Sequence, residues 1–385
     1  MLDFSIYNSV DSREWNKALK QSVYANFFQT AEYLETHASS EERTPVFITI
    51  RDSSNNIKGQ LGLVVEEKVH GRSSNLMDSF ITKFSNLGKR ATWVSGPILH
   101  DSNLKNRSEI LKLILSALEK VGSNYNLTII DGYTPPLDSL IDKNYKEQFR
   151  NFRYKIENFF TFVTDLNKTT ESIWDSIHKS TRRDVKRSEK RNIVVKELNQ
   201  YKQLDEYFNL SKEWTKTKGI ILKDSILSKE KYWECLKAEI EKVFLAYEND
   251  ELITSHRMGI FNGIAFSHKF TNSYSKSTSL GGPLLAWFSI LWAKKMKYRI
   301  YDFSGGRFPP SDNNSMKKYL EQWDSLLSYK RKWGGVEYPY FHFIKIRNEK
   351  SYKLLRMPLK IDWMYRNYKR KHFKRPSTNV EKTDN

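Results

Sequence analysis

Apolar and polar positions fall into short blocks along this chain, and one block organises the others. From Gly281 to Gly306 the sequence reads GGPLLAWFSILWAKKMKYRIYDFSGG. Leu284, Leu285, Phe288, Ile290, Leu291 and Trp292 predict a helix, and the β-branched and aromatic run Tyr298–Phe303 predicts a strand with Asp302 at its end. Gly281, Gly282 and Pro283 suit the helix start, because Pro fits the first helical position and glycine lets a ligand approach the free N–H groups there. Lys294, Lys295 and Lys297 fall in the last turn, where cations favour the carbonyl end of the helix dipole.

The same order of elements occurs earlier. Val46–Ile50 and Ile57–Val65 flank a polar turn and predict a hairpin. A glycine- and serine-rich interval, Gly71–Ser79, follows; then come Gly96-Pro97, a helix over Arg107–Val121, and a strand over Leu127–Ile130 that runs into Asp131-Gly132. In the second half, Val243–Tyr247 and Leu252–Ile260 predict another hairpin ahead of the organising block. Hairpin, helix, strand, Asp and glycine in that order, twice, imply two copies of one αβ architecture with a cleft between them. The boundary is expected in the turn-rich region Pro135–Phe160, giving a first domain over 1–155, a second over 156–345 and a basic tail over 346–385. Residues 199–242 predict two ordinary amphipathic helices.

Between the halves, Glu171–Arg191 predicts the most basic helix of the chain. Trp174, Ile177, Thr181, Val185 and Ser188 fall on one stripe, and Lys179, Arg182, Arg183, Lys186, Arg187 and Lys190 gather opposite. Only Asp184 and Glu189 dilute that charge, so the face is expected to meet anions. At Asn262-Gly263 a tight turn would pair Arg257 with His268 and His256 with Lys269. The two histidines then point to opposite faces of the sheet, cannot share a metal, and neither is assigned a catalytic role.

Composition narrows the partners. A net charge of +19 over 385 residues favours an anionic partner such as nucleic acid, a phosphorylated substrate or a membrane surface. The single cysteine, Cys235, excludes an internal disulfide framework and a cysteine-based metal site, which fits a reducing interior. The start, MLDFSIYNSVDSREW, does not read as a signal peptide, and the longest apolar run is too short to span a bilayer. The expectation is a cytoplasmic protein, soluble or held at the inner face of the cell membrane. From Lys345 to Arg375, twelve Lys or Arg stand against Glu349 and Asp362, interleaved with residues such as Leu354, Met357, Trp363 and Tyr365. That mixture suits anionic lipid or nucleic acid, or packing against the first lobe; Pro376–Asn385 is expected to be disordered.

SIWDSIHKSTRRDVKRSEKRNIVVKEL resembles the start of the second domain in the Fem aminoacyltransferases and the related BioF2-like, GNAT-type acetyltransferases. Pro283-Leu284-Leu285 with Trp287 and the YDFSGG run are similar to the family's helix and its Asp-Phe-Gly-Gly strand end. Tyr329-Lys330-Arg331-Lys332-Trp333-Gly334-Gly335 is similar to its closing motif, and Phe28-Gln29-Thr30 with Tyr33 to an early Gln-Ser/Thr-x-x-Trp pattern. The resemblance covers most of residues 25–340.

It implies an α/β (α+β) fold of tandem GNAT-like domains around a central cleft, in which an activated acyl carbonyl is attacked by an amine or hydroxyl. Lys330 is then the residue expected to meet the developing negative charge, and Asp302 the one expected to orient or deprotonate the acceptor. Arg182, Arg183 and Lys186 would hold phosphate. Gly281, Gly282, Gly305, Gly306, Tyr329 and Trp333 complete the expected substrate contacts. No metal and no permanently bound cofactor is expected. The run Ser277–Gly282 departs from the Arg/Gln-x-x-Gly-x-Gly/Ala loop of a CoA site, and the long helical arm of some Fem enzymes is missing. The donor therefore stays open between acyl-CoA and aminoacyl-tRNA. The acceptor implied is a phosphate-bearing, or lipid-linked, cell-envelope precursor. The rival expectation is a nucleic-acid-binding protein on a catalytically inactive fold of this kind; oligomeric state is not readable.

Overall fold

The hairpin over residues 43–66 and the helix after it show how the first half is built. In the computed structural model, which describes residues 2–38, 42–67, 88–217, 229–273, 280–308 and 325–354, this half contains β1 (Asp3–Tyr7), α1 (Ser12–Leu19), α2 (Ala31–His37), β2 (Arg43–Arg51), β3 (Ile57–Glu66), β4 (Arg90–Trp93), β5 (Ile98–Leu99), α3 (Leu104–Asn124), β6 (Ile129–Tyr133) and α4 (Lys143–Asn151). Helix α3 starts before Arg107 because the Asn103 side chain caps it, accepting from the N–H groups of Lys105 and Asn106. Ile110, Ile114, Leu118 and Val121 recur every three or four residues, and that stripe is buried against β2 and β3 with Ile48, Ile50 and Leu63. Arg107 turns inward to an ion pair with Asp138 at 2.5 Å. Strands β4 and β6 are parallel neighbours, so α3 is the crossover between them. The interval Gly71–Ser79 lies outside the described residues.

The second half repeats the plan. It comprises β7 (Lys155–Asp165), α5 (Thr170–Ser176), α6 (Lys179–Glu189), β8 (Val194–Glu197), α7 (Gln203–Thr217), α8 (Lys229–Lys237), β9 (Glu241–Glu248), β10 (Glu251–Phe261), β11 (Ile264–Asn272), α9 (Gly281–Lys295), β12 (Ile300–Arg307), α10 (325–331) and β13 (Val336–Ile346). Parallel strands β11 and β12 are joined through α9 as β4 and β6 are through α3. Region 135–160 carries α4 and the first half of β7 rather than turns alone.

One sheet of thirteen strands among the described residues carries both halves, in the order β1-β2-β3-β4-β6-β13-β7-β12-β11-β10-β9-β8 with β5 beside β3. The last strand, β13, inserts between β6 and β7 and so joins the halves through backbone hydrogen bonds. Two cores flank this seam. One lies under α3; the other surrounds α9, where Leu285, Ala286, Ile290 and Trp287 meet Phe244, Tyr301 and Trp333. A third cluster sets α1 and α2 against Cys235, Ile240 and Phe261 of the second half.

Two local expectations need correction. The basic helix is broken: Thr169 caps α5, Ile177 is extended, and His178 starts α6 by accepting from Ser180 N. No Gly or Pro marks this break. His178 N instead donates to Lys332 O at 2.8 Å, so the closing motif holds the two pieces apart. In the β10–β11 hairpin, pairing follows the expected register from Phe261↔Ile264 to Met258↔Ser267, and then a bulge places Arg257 opposite Lys269 and His256 opposite Phe270. The histidines still occupy opposite faces. His256 bonds Ser289 of α9 at 2.7 Å, whereas His268 faces the rings of Phe27 and Phe28.

Candidate active site between the lobes

The strand pair β11–β12 opens at the residue that the sequence singles out. Its parallel ladder runs from Ile264↔Ile300 to Phe266↔Asp302 and stops there, while β12 continues against β7 through Gly305↔Thr161. Asp302 is therefore inside the strand, not at its end. Gly305 is explained by packing: a Cβ there would stand 1.5 Å from Phe160 O, so only glycine lets β7 approach. Gly306 is likewise a paired strand residue. Just before them Ser304 adopts left-handed backbone, with φ 61°.

That kink is held from below. The Asp302 carboxylate is buried and accepts hydrogen bonds from the Thr161 hydroxyl and, at 2.7 Å, from Ser304 N–H. Burial raises its pKa to about 6, over the opposing effect of these hydrogen bonds and of Lys330. Lys330, on α10, donates to Ser304 Oγ at 3.1 Å and approaches Gly305 O at 3.4 Å. Burial lowers its pKa to about 8, with Asp302 pulling the other way. Near neutrality an ammonium and a carboxylate thus sit on the two sides of Ser304. The rest of the closing motif is structural: Trp333 is fully buried and stacks on Phe303, and Tyr329 packs against Trp333.

Above the kink lies a cavity of about 280 Å³ between the lobes. The first half supplies Phe28, Tyr33, Ser95 and Tyr133 to its wall, and the second half supplies Thr161, Phe266, His268, Ser304 and Tyr340. Thr161 and Ser304, which both bond Asp302, carry the site to the cavity; Asp302 itself stands behind them. The early motif serves this wall. Gln29 is buried and ties its turn to the sheet through Gly62 and Val94, which fixes Phe28 and Tyr33 in place.

A second concavity, about 520 Å³, is formed by Trp174, Lys179, Arg182, Arg183, Lys186, Arg187 and Lys190. Arg182 is paired with Asp175 at 3.0 Å, while Arg183 and Lys186 have no acidic partner among the described residues. Helix α6 abuts the start of α9, where Ser188 Oγ lies 2.7 Å from Leu280 O. That helix start has no side-chain cap. Gly281 is tight there, since a Cβ would approach Thr254 Oγ1 to 2.7 Å, whereas Gly282 is open. The run Ser277–Ser279 and the tail beyond Leu354 lie outside the described residues. A larger open groove, about 890 Å³, sits at the far edge among Lys196, Gln203 and Tyr247 and includes none of these groups.

Thr161 and Ser304 were not singled out by the sequence, because a Thr in a strand and a Ser in a glycine run carry no signal until register is known. The first half has a counterpart of Asp302 in Asp131 on β6. There Arg90 at 2.5 Å and His342 at 2.9 Å occupy the carboxylate, and their hydrogen bonds outweigh burial to hold its pKa low. Among the described residues no cluster of His, Cys, Asp and Glu could hold a metal, and no helix is long and apolar enough to cross a membrane.

Neither a protein-family profile nor a curated protein sequence matches the chain. Its fold does match solved structures. FemX superposes with a TM-score of 0.66 at 12% identity, covering 91% of this chain and 99% of that one. L-PGS from Bacillus licheniformis gives 0.54 at 12% identity, covering 93% and 97%. A tandem GNAT protein from the clavulanic acid biosynthesis pathway gives 0.53 at 11% identity, covering 90% and 98%. The chain has the tandem GNAT fold.

Proposed function

We propose that this protein is an acyltransferase that passes an acyl or aminoacyl group to an amino or hydroxyl group of a phosphate-bearing cell-envelope precursor. The observation that carries the reading is the Lys330 ammonium bonded to Ser304, which lines the interlobe cavity, with the buried Asp302 carboxylate beneath the same residue. A carbonyl seated against this wall develops negative charge as it is attacked, and a preformed donor pair meets that charge without reorganising. Asp302 orients Thr161 and Ser304. Arg183 and Lys186, which have no acidic partner among the described residues, suit a phosphate group of donor or acceptor together with Arg182. The donor is acyl-CoA or aminoacyl-tRNA, and placement at the inner face of the membrane would bring the enzyme to a lipid-linked acceptor.

The test incubates the full chain with acetyl-CoA or total aminoacyl-tRNA and the phosphate-bearing precursor fraction of a bacterial extract. Mass spectrometry should show a precursor gaining one acyl or aminoacyl residue, and Lys330→Ala should suppress the product. No product with either donor, together with steeply salt-dependent RNA or DNA binding, would replace the reading with that of a nucleic-acid-binding protein.

A further inference from the structure

Transfer to an amine or hydroxyl needs a group that removes the acceptor's proton, and the cavity wall offers few. Its thirteen lining residues are aromatic, hydroxyl, amide or aliphatic apart from His268. Asp302 is not among them, because Thr161 and Ser304 cover it. His268 stands at the mouth between β11 and β12, on the bulge that breaks the hairpin register. Its Nδ1 is buried and has no hydrogen bond, with Glu241 Oε1 3.7 Å away, which leaves Nε2 for the cavity. Glu241 is itself fully buried and fixed by Arg257, whose Nε and Nη2 reach it at 2.9 and 2.6 Å. A carboxylate, an imidazole and a cavity are thus in line.

We propose that His268 Nε2 accepts the proton of the attacking amine or hydroxyl, while the Glu241 carboxylate, 3.7 Å from Nδ1, favours the tautomer that carries its proton on Nδ1 and leaves Nε2 bare. This rests on the transferase reading. In the step, the acceptor's lone pair forms a bond to the acyl carbon and its proton passes to Nε2. The carbonyl π pair moves onto oxygen, whose charge the Lys330–Ser304 pair meets. As the tetrahedral carbon collapses, its bond to the donor's ester oxygen or thioester sulfur breaks, and the proton leaves Nε2 for that leaving group.

The surroundings keep the imidazole neutral and therefore able to accept. Burial lowers its pKa, Arg257 and Lys269 lower it further, and Glu241 opposes them. Two other histidines are near in charge terms, His37 on α2 and His256 on the opposite face, and burial holds both neutral as well. Activity should accordingly fall only when pH drops below the ordinary imidazole range.

His268→Phe tests this, because a phenyl ring keeps the packing against Phe27, Phe28 and Phe266 and removes the base. With total aminoacyl-tRNA or acetyl-CoA as donor and the extract's precursor fraction as acceptor, kcat should fall about 10²–10⁴-fold at nearly constant KM, and the acid limb of the pH profile should vanish. His268→Gln should behave alike. Histidine-selective ¹⁵N NMR of the full chain adds a readout without substrate: a proton on Nδ1 and a bare Nε2. Wild-type kcat with an intact acid limb in His268→Phe, or a proton resident on Nε2, would overturn the base and leave the transferase standing. Absence of transfer by the wild type with both donors would overturn both.

Discussion

Lys330 reaches across 26 residues to donate to the hydroxyl of Ser304, a residue held in left-handed backbone by the carboxylate of Asp302. The contact couples the closing motif to the strand-end glycines, two features that the sequence presents as separate signals. It also places the ammonium one hydroxyl away from the cavity.

Replacing that ammonium should be costly to the chemistry and mild for the fold. Lys330→Ala is expected to lower kcat about 10²–10³-fold, the scale of losing one oxyanion donor. Lys330 makes no ion pair within contact distance among the described residues, and its loss relieves the burial penalty on the ammonium while removing its attraction to Asp302, so the thermal midpoint should change little. Unchanged turnover would remove Lys330 from the mechanism.

The pair also stores a pH-dependent penalty. Burial moves Asp302 up to about 6 and Lys330 down to about 8, each against its charged form. For Asp302 the raised value means that the stability gained by the protonated form is complete below the unfolded value of about 3.9 and is lost as pH rises to about 6. For Lys330 the depressed value means that its gain is complete above about 10.4 and is lost as pH falls through about 8. Both penalties apply between those two values. Asp302→Asn keeps the acceptor for Thr161 and Ser304 and removes the buried charge, so its stability should exceed the wild type's at about pH 7.5, by no more than ~3 kcal/mol and visible as a higher thermal midpoint, and match it near pH ~4. Calorimetry at the two pH values decides it. A lower midpoint at the higher pH would mean that attraction to Lys330 outweighs burial.

The basic groove should behave as a binding element. Arg182→Ala combined with Arg183→Ala is expected to raise KM for a phosphate-bearing substrate more than it lowers kcat, as happens when a contact is equally strong in ground and transition states. Arg183 should contribute more, since Arg182 already spends part of its donor capacity on Asp175. Steady-state kinetics of both single variants separates them. A collapsed kcat at constant KM would put the arginines in the chemistry.

Much of this arrangement was legible because it is local. Apolar spacing placed α3 and α9, the β-branched runs placed the two hairpins, and the repeated order anticipated two similar halves. What was not legible depends on register and on distant partners. A single bulged residue moved His256 and Arg257 to new partners, and the break after Ile177 owes itself to the carbonyl of Lys332, far along the chain, which accepts from His178 N. The roles of Gly305, Trp333 and Tyr329 inverted for the same reason. As sequence they resemble ligand contacts, and in space they are close approaches and core packing that set up Ser304. His268 was passed over since Glu241 and the cavity meet it only after folding.

The basic tail leads to the last expectation, that the protein binds anionic membrane surfaces through residues 355–375. The segment combines many Lys and Arg with Trp363, Tyr365 and several aliphatic residues. Each cation near an anionic leaflet contributes roughly 1 kcal/mol, and aromatic side chains settle at headgroup level. Charge attracts and rings anchor, so both should be needed. Sedimentation with phosphatidylglycerol and phosphatidylcholine vesicles compares the full chain with one truncated after Leu354, which retains β13 and the Arg347–Glu119 ion pair at 2.7 Å. The full chain should pellet with the anionic vesicles alone, and the truncated chain with neither. Substituting Trp363→Ser and Tyr365→Ser should weaken recovery at high salt, where screening leaves the rings as the main anchor. Equal recovery of full and truncated chains with anionic vesicles would transfer the binding to the basic groove, in which Arg183 and Lys186 have no acidic partner among the described residues.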